Sequence, residues 1–301
     1  MTHVAVLMGG WSPEREVSLV SGEQCAVALE AIGYRVSRLD VTRSVAQDLA
    51  ALRPDVCFNA LHGSGGEDGL IQGLLEVMQL PYTHSGVAAS AIAMDKRRCK
   101  IIFAEAGIPV AADKRIGLDD LTTHAFDKPY VIKPIYQGSS VGIEMITDTS
   151  VPVPNRVIET CRPFGDEMMA EVFVPGRELT CGVMGEVVFD VLEITTARGF
   201  YDYQAKYETG GSVHEVPARI PADIAQAVQD YSQMAHQSLG CRGVTRTDFR
   251  YDADGVGLVA LEINTQPGMT PVSLVPDMAA YKNIGFQDLV KWLVEDASCL
   301  R

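Results

Sequence analysis

Between residues 4 and 80, short apolar runs alternate with segments of helical spacing, and this alternation restricts the possible folds more than any other feature. Val4–Met8 is strand-like and ends in Gly9-Gly10. From Glu14 to Ile32, apolar residues such as Val17, Val20, Val27 and Ile32 fit a helix, and Gly33 suits the left-handed turn that ends one. Tyr34–Leu39 reads as strand, Val45–Leu52 as helix, Asp55–Asn59 as strand and Leu70–Leu80 as an apolar helix. A β-α-β-α-β order requires a parallel sheet with helices on both faces, because parallel strands need crossover connections. Two glycine-rich turns, Gly9-Gly10 and Leu61 through Gly69, follow strands, where such sheets bind ligands.

Further along, the spacing predicts one long helix from Val87 to Ala106, stopped by Gly107 and Pro109. A more β-rich stretch follows at Tyr130–Pro134, Ile143–Ile146 and Met168–Phe173. From Glu178 onward antiparallel strands are expected, with one helix at Ala222–Leu239 and a last one at Phe286–Ala297. The fold class is therefore mixed α/β and α+β, with units expected at 1–88, 89–175 and 176–301. The segment from Thr195 to Val216 has aromatic, glycine and basic residues without clear periodicity, as expected of a long functional loop.

Charge narrows the partners. Twenty-five Lys and Arg against 39 Asp and Glu give a net charge of −14, which repels nucleic-acid backbones and anionic lipid at long range. A local cluster of lysine and glycine can still reverse the field inside one cleft. No apolar run is long enough for a membrane helix. Met1 to Gly10 reads as a strand entering a glycine turn, not as a signal peptide. Seven cysteines without a CxxC pair exclude a zinc ribbon or thioredoxin motif, and scattered thiols of this kind fit the cytoplasm.

Two constellations carry chemistry. The first is Val131-Ile132-Lys133-Pro134 followed by Gly138-Ser139-Ser140-Val141-Gly142. Small residues let backbone N–H groups approach phosphate oxygens, and a lysine at the strand end supplies positive charge. No GxxxxGK[ST] motif occurs. The segment also matches the G-x-S-x-G elbow of serine hydrolases, but that elbow needs a following helix, and Ile143–Ile146 reads as strand. A plain hairpin turn is the third reading.

The second runs from Arg246-Thr247-Asp248 through an Asp/Gly turn to Glu262-Ile263-Asn264. A hairpin centred near Gly255 places Asp248 opposite Glu262 and Arg246 opposite Asn264, all on one face. Phe249, Tyr251, Val259, Leu261 and Ile263 would form the apolar face. Facing carboxylates repel unless neutralised. Oxygen-only ligands suit Mg²⁺, and Arg250 is an alternative neutraliser in a purely structural network. Glu14 and Glu16 at a helix start have a bland explanation in the helix dipole, and His62 before a glycine loop has one as a turn residue.

Taken together, these segments resemble the D-alanine–D-alanine ligases of the ATP-grasp superfamily, essentially end to end. The resemblance rests on Gly9 through Ser18, Leu61 through Gly69, Met94-Asp95-Lys96, Gly138 through Gly142, Tyr201 through Tyr207, Arg246-Thr247-Asp248 and Glu262 through Thr270. It implies a parallel N-terminal domain followed by a two-part ATP-grasp fold. It also implies a cytoplasmic homodimer whose substrates are ATP and D-alanine, with no nucleic-acid or membrane partner. ATP phosphorylates one D-alanine carboxylate, and the amine of a second D-alanine attacks the acyl phosphate.

By motif, the resemblance assigns Asp248, Glu262 and Asn264 to two Mg²⁺ ions, with Mn²⁺ a substitute. Lys96, Lys133 and Lys206 would meet the nucleotide phosphates, and Glu171 and Glu178 the adenine and ribose. Glu14 would pair with the first D-alanine, and His62, Ser273 and Leu274 would position the second. Arg246 and the Gly268 N–H would stabilise the oxyanion, while Glu14, Ser139 and Tyr207 would close the 195–216 segment over the site. Tyr207 also favours an amine acceptor over a hydroxyl. Two departures stand out: the stretch from Ile116 to Lys128 is short, and Gln266 stands where many members have serine.

Overall fold

The computed structural model describes residues 1–121, 123–138, 142–196 and 211–300. A parallel sheet of order β2-β1-β3 opens the chain, with β1 (His3–Gly9) between β2 (Arg35–Val41) and β3 (Val56–Asn59). Alternation along β1 divides its side chains between two cores. Val4 and Val6 pack on α1 (Arg15–Ala31), while Ala5 and Leu7 pack with α2 (Val45–Leu52) and α3 (Leu70–Met78). The Val4/Val6 side is also covered from far downstream, by Leu274–Tyr281 and Phe286–Asp296 through Met278, Leu289, Val290 and Leu293.

The expected single helix from Val87 to Ala106 is two helices, α4 (Val87–Met94) and α5 (Lys96–Glu105). The break lies at Asp95, whose backbone is extended and whose Oδ1 accepts the Arg98 N–H at 3.1 Å, an N-cap inside the apolar run. The Lys96 N–H donates to the Ile135 carbonyl at 3.2 Å, so the break anchors α5 on the loop that follows a central strand.

The central sheet has order β4-β7-β5-β6: β4 (Asp113–Gly117), β5 (Tyr130–Pro134), β6 (Glu144–Ile146) and β7 (Glu167–Val172). It packs Tyr130, Ile132, Met168 and Ala170 over α6 (Asn155–Cys161) through Val157 and Cys161. Tyr130 pairs with Ile146, so Gly138 and Gly142 lie between antiparallel strands. That strand-to-strand connection excludes the serine-hydrolase elbow.

The third sheet runs β11-β10-β8-β12-β13, with β9 (Val187–Val188) on β8 (Arg177–Met184). β10 (Leu192–Thr195) pairs with β11 (Val213–Glu215), so the flanks of the expected 195–216 loop are a hairpin; residues 197–210 lie outside the described residues. β12 (Val244–Asp252) and β13 (Gly257–Asn264) pack on α7 (Ala222–Ser238) through Phe249, Leu258, Ala260 and Ile263. Two more helices follow, α8 (Leu274–Tyr281), which the sequence reading lacks, and α9 (Phe286–Asp296).

A cleft between two sheets as candidate active site

Phe173, Val174, Pro175 and Gly176 join the central sheet to the third sheet, and the main cleft lies against this joint. Gly176 has φ +93°, and a Cβ there would lie 2.2 Å from the Tyr251 carbonyl oxygen, so only glycine fits the crossing. Phe173 and Val174 line the cleft, and Arg250 Nε donates to the Val174 carbonyl at 3.1 Å. Val131, Ile143 and Leu261 add apolar surface, with Lys96, Lys133, Glu171, Glu178, Asp248 and Glu262 around it. An apolar slot beside lysines and carboxylates suits a flat base attached to phosphates.

Lys133, Glu171 and Lys100 form a buried cluster at this joint. Lys133 Nζ donates to one oxygen of Glu171 at 2.6 Å and Lys100 Nζ to the other at 2.5 Å. Lys100 also donates to the Ala111 carbonyl at 2.6 Å. Burial pushes the Glu171 carboxyl up, but Lys133 and Lys100 outweigh it and hold the group below the usual carboxylate range. Glu171 lies within β7, with both oxygens engaged. Glu178 is held by Arg250 Nη1 at 3.2 Å.

The β12–β13 hairpin supplies the opposite wall. Arg246 pairs with Asn264 and Asp248 with Glu262, and a bulge follows at Asp248/Phe249. The bulge shifts the rest of the ladder, so Phe249 faces Ala260 and Asp252 faces Gly257. The expected apolar face is corrected accordingly. Leu258 and Ala260 join Phe249 and Ile263 in the core, while Leu261 lines the cleft and Val259 packs with Ala111 and Val174. Arg246 clamps Asp248 through Nε at 2.8 Å and Nη2 at 2.7 Å. Thr180 donates to the same carboxylate at 2.6 Å and Asn264 at 3.0 Å. Lys96, at the start of α5, donates to the Gln137 carbonyl and lies 3.5 Å from Glu262.

Two carboxylates and an amide, with Arg246 on Asp248 and Lys96 beside Glu262, match the donor set of Mg²⁺, which completes its shell with phosphate oxygens and water. Among the described residues no group of three or more His, Cys, Asp or Glu side chains could hold a metal alone, so a soft-metal centre has no support there. The six buried cysteines are poorly placed to act as nucleophiles. Burial pushes Cys57, Cys99, Cys181 and Cys241 up to about 12 and Cys161 to about 11, which leaves them as thiols at neutral pH.

A narrower groove leads from Glu262 and Asn264 past Lys96 and Gly138 to Glu67 in the second glycine turn. Glu14 lies beside Gly138, which lines this groove. It occupies the N-cap position of α1 without a side-chain cap hydrogen bond. Its Oε1 lies 2.9 Å from where a Cβ on Gly63 would sit and 3.5 Å from one on Gly138. The turn around Gly63 and the loop at Gly138 thus meet at one carboxylate. His62 is buried, with Nδ1 3.0 Å from Glu67 and Nε2 3.1 Å from the Ser21 hydroxyl. An ionised Glu67 accepts only, so a neutral His62 carries its proton on Nδ1 and its Nε2 accepts from Ser21.

Gly268 lies against Ser273, which occupies the N-cap position of α8 and whose Oγ accepts the Thr270 N–H at 2.9 Å. The Leu274 side chain is buried in the core, so its backbone N–H is what this helix start can offer an anion. Ser139, Lys206 and Tyr207 lie outside the described residues. Sequence reasoning missed Lys100, Phe173, Val174, Thr180, Arg250 as a Glu178 partner, and the cleft-facing side of Leu261.

The comparisons with known proteins agree with this geometry. Family models described as the C-terminus and N-terminus of D-ala D-ala ligase match residues 102–295 and 42–85. A D-alanine–D-alanine ligase of Azorhizobium caulinodans is 55% identical over 300 residues, covering 98% of both chains. One from Xanthobacter autotrophicus is 55% identical over 303 residues, covering 99% of both. Among solved structures, a D-alanine–D-alanine ligase from Bacillus anthracis superposes with TM-score 0.83 at 30% identity, covering 98% of this chain and 97% of that one. The same enzyme complexed with ATP gives 0.83 at 27% identity over the same shares. The VanG D-Ala:D-Ser ligase from Enterococcus faecalis gives 0.79 at 27%, covering 98% of each. On cleft, topology and full-length similarity alike, the chain belongs to the D-alanine–D-alanine ligase family.

Proposed function

We infer that this chain uses ATP to join two D-alanine molecules into D-alanyl-D-alanine, the dipeptide of peptidoglycan precursors. One observation carries the reading. A chain matched over 98% of its length by D-alanine–D-alanine ligases folds so that Asp248 and Glu262 line the same cleft as Lys96 and Lys133, with Asn264 hydrogen-bonded to Asp248 beside it. A carboxylate is a poor acyl donor, and phosphorylation gives it a leaving group. The γ-phosphoryl group passes to a carboxylate oxygen of the first D-alanine. The amine of the second then attacks the acyl carbon, and the tetrahedral adduct expels phosphate.

Each part of the site has a role in this sequence. Residues 89–175 and 176–301 form the two halves that hold ATP, and 1–88 supplies the amino-acid wall. Phe173, Val174, Leu261 and Ile143 take the base, Glu171 and Glu178 meet adenine and ribose, and Lys96 and Lys133 hold phosphates. Lys206 joins them by motif. Asp248, Glu262 and Asn264 hold two Mg²⁺ ions, for which Mn²⁺ substitutes, and when bound these neutralise charge on the transferring phosphoryl group. Glu14 receives the ammonium of the first D-alanine, with Ser139 and Tyr207 closing over it. His62, Ser273 and Leu274 orient the second. Arg246 and the Gly268 N–H stabilise the oxyanion, and such fixed charge is the largest expected catalytic contribution.

No helix among the described residues is long and apolar enough to cross a membrane. The protein works as a cytoplasmic homodimer, which cell fractionation and sedimentation would check. The deciding experiment supplies ATP and Mg²⁺ with D-alanine, L-alanine, D-serine or D-lactate, and follows phosphate and products. D-alanine-dependent phosphate matched one-to-one by dipeptide is expected. ATP binding without D-alanine-dependent turnover would keep the nucleotide cleft and remove the dipeptide reading.

A further inference from the structure

We propose that Gln266 is a positioning residue for the acceptor amino acid, acting as a buried clasp between the loop after β3 and the loop after β13. Its side chain is 2% exposed, and both ends of its amide are engaged. Nε2 donates to the Leu61 carbonyl, and Oε1 accepts from Asn59 Nδ2. Asn59 extends the grip: its Nδ2 also donates to the Gly66 carbonyl at 3.0 Å, and its Oδ1 accepts the Leu61 N–H at 3.2 Å. A second tie runs alongside, from the Met269 N–H to Ser21 Oγ at 3.3 Å, the hydroxyl that meets His62.

The two loops come from elements about 200 residues apart (Asn59 and Gln266 differ by 207) and carry complementary parts of the site. One holds His62 and Glu67; the other holds Asn264, Gly268 and Ser273. Leu61, which the clasp holds, lines one groove with His62 and Gly66, and Thr265, next to Gln266 in the chain, lines another with Glu67 and Asn264. The clasp therefore sets the gap between them, where the acceptor must reach the acyl carbon. A glutamine amide is long enough to meet both partners, while asparagine carries the same group one methylene short. With the gap loosened, the acceptor amine is misplaced and water attacks the acyl carbon instead. The carbon–oxygen bond to phosphate breaks, and D-alanine and phosphate leave, so ATP is consumed without dipeptide.

The inference rests on the ligase reading, and the test separates the two. Wild-type protein, Gln266→Leu and Gln266→Asn are assayed for phosphate and dipeptide together, with melting curves and the KM for ATP. Wild type is expected to give one phosphate per dipeptide; absence of dipeptide from wild type overturns the ligase reading and this inference with it. In the variants the acceptor KM should rise about tenfold, the worth of about 1.4 kcal/mol, with the ATP KM within about twofold. Phosphate should exceed dipeptide at low D-alanine. If Gln266→Leu does not fold, Gln266→Asn carries the comparison. One-to-one stoichiometry with an unchanged acceptor KM in either folded variant overturns the clasp, and so does a loss confined to kcat.

Discussion

Lys100 does not line the cleft, yet its removal should weaken nucleotide binding. In Lys100→Met, Glu171 loses the partner on one oxygen and the buried Ala111 carbonyl loses its donor. Breaking one side of a buried ion pair costs about 3–5 kcal/mol. Lys133 remains on the other oxygen, so the lower end, ~3 kcal/mol, applies. For a chain of this size that lowers Tm by roughly 5 °C. The electrostatic consequence is separate. Lys100 also lies 3.4 Å from Asp113, which Arg97 pairs as well, so removing Lys100 takes one positive charge from this network beside the cleft. A unit charge acting over roughly 6 Å through an effective dielectric of about 20 contributes ~3 kcal/mol. Solvent in an open cleft reduces this to ~1.5 kcal/mol, or about tenfold in ATP KM. Steady-state kinetics with varied ATP, beside differential scanning calorimetry, read both effects, and Lys100→Arg should recover part of each. A Lys100→Met protein with Tm within about a degree of wild type and unchanged ATP KM would refute the charge argument.

Glu262→Gln should lower turnover by about 10²–10³-fold, the scale of removing a charged transition-state contact, with little change in Tm; near-normal phosphate release would contradict the metal assignment. Gly63→Ala forces a Cβ to 2.9 Å from Glu14 Oε1 at φ +68°. It should cost ~1–2 kcal/mol of stability and raise the KM for the first D-alanine severalfold; an unaltered KM would detach Glu14 from that substrate. Burial holds the His236 imidazole down to about 4 in the folded state, below the ordinary 6.5. The unfolded chain therefore binds the extra proton first as pH falls. This stability contribution is complete above about 6.5 and is lost toward about 4, up to ~3 kcal/mol. Urea unfolding at pH 7 and pH 5 should show a smaller pH dependence in His236→Gln than in wild type, and equal slopes would rule the residue out.

The β12–β13 hairpin illustrates what local pattern can reveal. Centring the turn on Gly255 pairs Asp248 with Glu262, as observed, yet the ladder next to the turn is offset by one, with Asp252 on Gly257. The extra residue at the bulge restores the register at the site, and nothing in a period-two pattern marks it. That is why Val259 and Leu261 were assigned to the wrong face. The break at Asp95 was more legible, since aspartate inside an apolar helical run is itself an N-cap signal. Helix α8 was hidden by Pro276, which reads as a breaker but lies in a first turn, where a missing N–H costs little. The buried lysine cluster depends on β5, β7 and α5 meeting in space. Its one local trace is that Lys96 and Lys100, four apart, share a helix face with little exposure.

The wrapping of α9 around β1 has a consequence for synthesis. Val4, Val6 and the inner face of α1 emerge early, but Leu289, Val290 and Leu293, which cover them, are translated close to 290 residues later. At roughly 5–20 residues per second the gap is of order 15–60 s. During that interval the nascent sheet has α2 and α3 on one side, and on the other only α1, whose outer apolar rim still awaits α8 and α9. A ribosome stalled before residue 286 should hold a chain that recruits chaperones and resists no protease at β1, and release of α9 from the exit tunnel should end both.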